Sequence, residues 1–449
     1  MKVVIIGGVA GGATAAARLR RLDEQAEIVM LERSGYVSYA NCGLPYYVGG
    51  VITDQEELTL QTPESFRRRF AVDVRVRHEA TAIDPTRKTV TVRRLEDGSE
   101  YEEAYDKLLL SPGARPLRPA LPGVESARVF TLRTVEDTLR LHTFIQSSAP
   151  RSAVVVGGGF IGLEMMENLT HQGIQVTVVE KQRQVMAPID YDMACGVHAY
   201  LRDKGVALRL DAAVEGFEET DSSLSVRLEG GERLETDMVV LALGVVPDTG
   251  LAKEAGLTLG GRGAIVVNDR METSAPDIYA VGDAVQITHA VTGDPAWVPL
   301  AGPANKQGRI AADNISGRDS RFDGSQGTSI LRVFDMTVAA TGLNERAAEA
   351  AGYRFDKVVT FSPSHATYYP GASNMTIKTV FERGSGRILG AQIVGFEGAD
   401  KRIDVLAAAV RGQMGAADLA ELELAYAPPF SSAKDPVNMA GFVIGNLLD

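Results

Sequence analysis

Cys42, in the stretch "SYANCGLPYYVGG", is the residue of this 449-residue chain best equipped for covalent chemistry. A thiol of ordinary pKa is only about 3% thiolate at neutral pH, so a working nucleophile there needs stabilisation, for which the turn's backbone donors are candidates. The one other cysteine, Cys195, lies 153 positions away in "DMACGVHAY", where a helical pattern predicts a small packing residue. Two cysteines so far apart form no disulfide framework, and their scarcity fits a reducing compartment.

A reactive sulfur must be positioned, and the chain carries an internal echo suited to that task. "KVVIIGGVAGGATAAARLRRL", followed by "EIVMLERS", recurs in outline as "SAVVVGGGFIGLEMMENL", followed by "VTVVEKQ". Each copy reads as buried strand, glycine turn, amphipathic helix and second strand ending in an acid, Glu32 or Glu180. The turn has to be tight, its backbone has to approach a pyrophosphate, and the helix must open with free N–H groups facing the anion. The acid then accepts from a ribose hydroxyl. The second copy carries the full fingerprint, Gly157, Gly159 and Gly162, whereas the first has Gly7 and Gly12 with Val9 between them. Two such units predict a flavin paired with a nicotinamide, because hydride must pass from one to the other. Further along, "TSAPDIYAVGDAV" puts Gly282 and Asp283 after a short apolar strand, where a carboxylate can hold flavin ribityl hydroxyls.

Composition narrows the field. The length suggests two to four domains, and 45% apolar with 23% charged residues describes a folded soluble protein. A net charge of -12 argues against a nucleic-acid groove, although a local basic patch can still hold a small phosphorylated ligand. The first residues run directly into a strand without a signal-peptide pattern, and no apolar run reaches about 18 residues, which predicts a cytoplasmic protein away from membranes.

Taken in order, "GGVAGG", "LLLSPGARP", "VVVGGGFIGLE", "LALGVVPDT" and "IYAVGDA" resemble the pyridine nucleotide-disulfide oxidoreductases over essentially the whole chain. The resemblance implies an α/β fold with two Rossmann-like dinucleotide-binding domains and an α+β C-terminal dimerisation domain. It divides the chain into an FAD domain at 1–118 and 245–318, an NAD(P)H domain at 119–244, and a dimerisation domain at 319–449 that completes the partner's active site. The cofactor residues it implies are Gly7, Gly8, Ala10, Gly11, Gly12, Glu32, Arg33, Gly244, Gly282 and Asp283 with Gly157, Gly159, Gly162 and Glu180. Glu180 favours NADH over NADPH by repelling an extra phosphate, against which Lys181 and Arg183 weigh. No metal site is expected.

Dithiol members of that family carry a second cysteine three or five positions after the first, where this chain has Pro45 and Tyr47. The oxidised form of Cys42 is therefore a mixed disulfide, a persulfide or a sulfenic acid. Peroxidases and water-forming oxidases of the family have a histidine where this chain has Ala10. In contrast, "SYANCGLPY", "SHATYYPGA", "EGADKRIDVLAAA" and "LAYAPPFSSAKDPVNMAGF" resemble the single-cysteine coenzyme A-disulfide reductases and the related persulfide reductases. That resemblance implies a homodimer in which Tyr368 and Tyr426 assist Cys42 from the other subunit, though both tyrosines would equally suit interface core. It implies substrate contacts at Thr14, Arg18, Arg21, Ser38, Asn41, Asn305 and Lys434. Arg18 and Arg21, three apart on one helix face, would meet the phosphates of coenzyme A, unless "RLRRL" is a solvated face. An NADH oxidase or peroxidase, or a flavin-binding sensor without catalysis, are the alternatives.

Overall fold

The computed structural model describes residues 1–220 and 223–448. Both echoes fold as parallel sheets with the same plan. The first sheet runs Ile278–Ala280, Lys107–Leu110, Lys2–Ile6, Glu27–Glu32, Asp73–Val76, and every neighbour pair is parallel. The second runs Ala207–Arg209, Gln175–Val179, Ser152–Val156, Met238–Leu241, Val129–Phe130, again all parallel. Strands buried on both faces explain the continuous apolar runs "VVII" and "AVVV". An antiparallel pair, Ala114–Pro116 with Val245–Pro247, lies at the two crossings between the sheets.

The glycine turns are set by close approach. Gly7 and Gly157 have φ of 98° and 112°, and a Cβ on either would strike the carbonyl of Ser111 or Ala242. A Cβ on Gly12 would lie 2.0 Å from the Gly7 oxygen, and one on Gly162 would lie 1.9 Å from that of Gly157. Gly12 and Gly162 thus let each helix sit on its strand. The first helix, Gly11–Leu22, buries Ala15, Ala16 and Leu19 and is crossed by the helix Ala301–Ile315, whose Gly308 approaches the Gly11 carbonyl too closely for any side chain.

The third unit is a five-stranded antiparallel sheet in the order Ser329–Val333, Met336–Gly342, Ile388–Gly395, Asn374–Glu382, Phe355–Pro363. Helices Ala399–Arg411 and Pro436–Leu448 supply its apolar cover.

The cysteine turn sits where the units meet. Tyr39, Leu44, Tyr47, Val48 and Leu58 join one apolar cluster with the second unit's Leu163 and Met166 and the third unit's Val333 and Val338. Fully burying a side chain such as Leu44 or Val48 contributes about 1.5–3 kcal/mol, so the turn is fixed by two units besides its own. Gln172 adds a hydrogen bond from its Nε2 to the Gly49 carbonyl at 2.7 Å.

Cys195 corrects its sequence-based expectation. It lies on the helix Tyr191–Asp203 but is exposed, because the buried stripe passes through Met193, Ala194, Val197, His198 and Leu201 and leaves position 195 outside.

Candidate functional site

A single cavity of about 1630 Å³ runs between the two parallel-sheet units and reaches the cysteine turn. It is larger than the usual small-molecule pocket of about 300–1,000 Å³. Its walls include Gly7, Gly8, Ala10, Gly11, Glu32 and Arg33 from the first unit, Gly157, Gly159, Glu180 and Gly244 from the second, and Gly282 and Asp283. Gly12 and Gly162 are absent from the lining, consistent with their packing role.

The two acids act alike. Glu32 Oε2 accepts from the Gly8 N–H at 2.9 Å and its Oε1 from the Ser34 N–H at 2.9 Å. Glu180 Oε2 accepts from the Gly158 N–H at 2.7 Å and its Oε1 from the Gln182 N–H at 2.8 Å. Each carboxylate thereby ties the second strand to the glycine turn beside the cavity. Lys181 lines the cavity, whereas Arg183 is off its wall with its guanidinium 4.3 Å above the Tyr191 ring. Only one of the two cations weighed against Glu180 therefore faces the cavity.

Several groups suit a large polar cofactor with anionic and hydroxyl-rich parts. Gly159 and Gly244 have open space where a Cβ would be. Arg133 donates from Nε to the Ala114 carbonyl at 2.8 Å, while its buried Nη1 has no protein partner among the described residues. Burial raises the pKa of Asp283, with Arg133 opposing. A flavin adenine dinucleotide fits the guanidinium with a free donor and the carboxyl short of partners, and the open space at Gly159 suits the second dinucleotide. Arg133, in "FTLRTVED", was missed by sequence reasoning because nothing local marks it; it is brought in by the fold.

Cys42 is the middle residue of the short turn Asn41–Gly43 at the cavity wall and is exposed in this chain alone. Its thiol pKa is nevertheless raised, first by loss of hydration and then by Glu164 and Asp283, with Arg133 acting the other way. The chain by itself does not supply the thiolate stabilisation the sequence suggested, because loss of hydration, reinforced by two acids against one cation, disfavours the charged sulfur. Glu164, another residue the sequence reading passed over, lines the same cavity, and burial followed by Glu167 pushes its carboxyl up to about 7.

The expected substrate residues divide. Asn41 lines the cavity. Ser38 stands just before it with φ 45°. Thr14 Oγ1 donates to Asn305 Oδ1 at 2.6 Å, so two residues nearly three hundred positions apart meet where the helices cross. Arg18 is not free: its Nε and Nη2 both reach Asp313 Oδ1 at 2.8 Å. Arg20 is occupied by the carbonyls of Phe70, Glu24, Ala26 and Ala71. Arg21 is exposed, 5.8 Å from the Phe70 ring centre, and Arg69 flanks the same ring at 5.2 Å. The basic surface near the first helix is thus Arg21 with Arg69, a pairing hidden by the distance between them in sequence.

Tyr368 and Tyr426 are brought together, their hydroxyls 3.0 Å apart, on an exposed face of the third unit. Tyr426 lines a separate cavity with His365, Lys401 and Arg402, so within one chain neither tyrosine lines the Cys42 cavity. Lys434 is exposed nearby in sequence, its carbonyl accepting from Ser432 Oγ. No described helix is long and apolar enough to cross a membrane.

The family described as pyridine nucleotide-disulphide oxidoreductase matches residues 1–308, and its dimerisation domain matches residues 328–436. The chain is 37% identical over 445 residues to the coenzyme A disulfide reductase of Staphylococcus epidermidis, covering 98% of this chain and 99% of that one. Among solved structures it is similar to the reduced CoADR-RHD of Bacillus anthracis, with 50% identity and a TM-score of 0.98 over all of this chain and 80% of that one. It is also similar to a NAD-dependent persulfide reductase from A. fulgidus, with 41% identity and a TM-score of 0.97 over all of this chain and 83% of the other.

Proposed function

The chain belongs to the pyridine nucleotide-disulphide oxidoreductase family, an enzyme family using FAD and NAD(P)H, and from that premise we propose that it reduces coenzyme A disulfide through one cysteine. The observation that carries this reading is Cys42 on the wall of the double-dinucleotide cavity with no second cysteine near it. One sulfur suffices when the substrate brings the second.

In this reading residues 1–118 and 245–318 form the FAD domain, 119–244 the nicotinamide domain and 319–449 the dimerisation domain. FAD, when bound, relays an electron pair from the nicotinamide to the oxidised sulfur. The Cys42 thiolate attacks one sulfur of the substrate, forming a mixed disulfide as the substrate's S–S bond breaks. The departing coenzyme A thiolate takes its proton from the partner subunit's Tyr426 or Tyr368, whose shared hydrogen bond lets one phenol donate while the other supports it. Two-electron reduction of that mixed disulfide would break its S–S bond, release the second coenzyme A and leave Cys42 as the thiolate. Asn41 and Ser38 flank the reacting sulfur, Thr14 and Asn305 form the polar edge, and Arg21 with Arg69 meets the phosphates of the handle. Lys434 contributes from the third domain.

Coenzyme A persulfide is an alternative substrate on the same site, since attack on its outer sulfur needs the same nucleophile and handle. NADH is the preferred donor because Glu180 borders the cavity beside only one cation. Ala10 offers no proton-transfer group for peroxide chemistry. A homodimer in a reducing, cytoplasmic setting completes the reading.

The test is steady-state NADH oxidation with coenzyme A disulfide, oxidised glutathione, oxygen and peroxide, for the parent and Cys42→Ser. Preference for coenzyme A disulfide, lost in the variant with FAD retained, supports the reading. Equal turnover with peroxide or oxygen, or full activity in the variant, overturns it.

A further inference from the structure

The echo extends beyond the glycine turns into the loops that close over them, and there the two copies diverge. In the first unit Ser38, with φ 45°, donates its N–H to the Gly8 carbonyl at 2.8 Å. In the second, Met186, with φ 55°, donates to the Gly158 carbonyl at 2.9 Å. A Cβ on Gly8 would come within 2.8 Å of Val37 Cγ1, and one on Gly158 within 2.7 Å of Val185 Cγ1. Four residues past the repeated contact, the first loop delivers Cys42 and the second delivers Asp190.

Asp190 is held by the third domain. Its N–H donates to Gln392 Oε1 at 2.7 Å, and Gln392 Nε2 donates back to Asp190 Oδ2 at 2.7 Å. The Glu345 N–H reaches Asp190 Oδ1 at 3.2 Å, and Asn344 Nδ2 reaches the Pro188 carbonyl at 3.2 Å. Lys378, whose side chain has no exposed surface, places Nζ 3.1 Å from Asp190 Oδ2 and 2.8 Å from Asp192 Oδ1, and also bonds Glu345. The three carboxylates enclose this ammonium as their cation. Gln392 is likewise buried.

The segment between the Glu180 strand and this anchor lines the cavity through Lys181, Gln182, Gln184, Met186 and Ala187. Its inner supports are Val185 N–H to His198 Nε2 at 3.2 Å and Gln184 Nε2 to the Ile189 carbonyl at 2.8 Å. The outer end depends on groups from the third domain. We propose that Lys378 and Gln392 are positioning residues for the nicotinamide coenzyme: by fixing Asp190 they hold the loop 181–189 against the Gly157–Gly159 turn, so the dimerisation domain sets affinity for NADH. This rests on the reading of that turn as the nicotinamide dinucleotide's cradle. A loop ordered before binding spares the ligand the entropic cost of ordering it, so releasing the anchor weakens binding without touching the chemistry at sulfur.

The experiment uses the flavin-loaded dimer with Gln392→Leu, which removes both bonds to Asp190 and leaves the ion cluster intact, and with Lys378→Met. Steady-state kinetics with coenzyme A disulfide should give a KM for NADH raised about tenfold in Gln392→Leu, with kcat and the KM for the disulfide within about twofold. Lys378→Met should move the same constant in the same direction. Lowered melting temperature with an unchanged KM for NADH, or equal losses in all three constants, overturns the proposal by reducing both residues to structural supports. Gly159→Leu, measured alongside, reports on the cradle itself: unimpaired use of NADH there removes the underlying reading, whereas loss there with no effect of Gln392→Leu removes only the anchor.

Discussion

On the proposed reading, charge reversal at Arg21 and Arg69 should separate recognition of the coenzyme A handle from chemistry at sulfur. Both guanidiniums flank the Phe70 ring, and neither stands in for a structural cation as Arg18 does. A charge-assisted hydrogen bond contributes about 1.5–3 kcal/mol, so losing one at each residue removes about 3–6 kcal/mol. Surface exposure and salt screening put the outcome at the low end, about a hundredfold loss in kcat/KM for coenzyme A disulfide at low ionic strength. The assay is NADH oxidation by Arg21→Glu/Arg69→Glu with coenzyme A disulfide and, in parallel, with inorganic polysulfide, which has no handle to lose. Polysulfide turnover should stay within about twofold, and the defect with coenzyme A disulfide should shrink as salt is added. Arg18→Gln should behave differently. It leaves Asp313, whose side chain is only 10% exposed, without its cation, and lowers the melting temperature while sparing the preference between acceptors. Equal loss with both acceptors in the double variant would place these arginines in folding or flavin binding, and no loss with either would make them a solvated face.

Three further outcomes follow from the same geometry. Mixing inactive Cys42→Ser subunits with inactive Tyr426→Phe subunits should restore activity through hybrid dimers; no recovery after confirmed subunit exchange would mean the sites are not shared. Gly162→Ala should abolish soluble folded protein or NADH use, because its Cβ would lie 1.9 Å from the Gly157 oxygen, while Gly159→Ala should fold normally; circular dichroism and melting compare them, and equal stability refutes the close-packing argument. Glu164, lifted from 4.5 to about 7, keeps a proton in the folded chain between those values that the unfolded chain has released, so its contribution to stability falls as pH rises through that window. Glu164→Gln should flatten that fall in melting temperature between pH 5 and 7.5, and an unchanged slope would refute the assignment.

The parallel-sheet units were legible because their signals are local: apolar strands, glycine turns and terminal acids lie within about thirty residues of each other, and packing demands them in that order. The cysteine turn stood out for the same reason, its residues lying together in "SYANCGLPYYVGG", and the structure sets it on the cavity wall. The ion pair of Arg18 was not legible, because its partner Asp313 sits on a helix almost three hundred positions later, and only the crossing at Gly11 and Gly308 reveals the pair. Cys195 was placed on the right element but the wrong face, since its helix buries a stripe one step away. The loop echo at Val37–Ser38 and Val185–Met186 leaves almost no trace in residue type, because it consists of backbone bonds and left-handed φ values at non-glycine residues. The Lys378 cluster gathers side chains from three separated stretches, which no local pattern could join.

The central claim, that one sulfur exchanges directly with coenzyme A disulfide, is tested most directly by intact-protein mass spectrometry of the reduced, FAD-loaded enzyme mixed with coenzyme A disulfide and no NADH. The account predicts a gain of one coenzyme A per subunit, mapped to Cys42, removed by subsequent NADH and absent from Cys42→Ser. An unchanged mass, a gain of oxygen alone, or an adduct on Cys195 would contradict it.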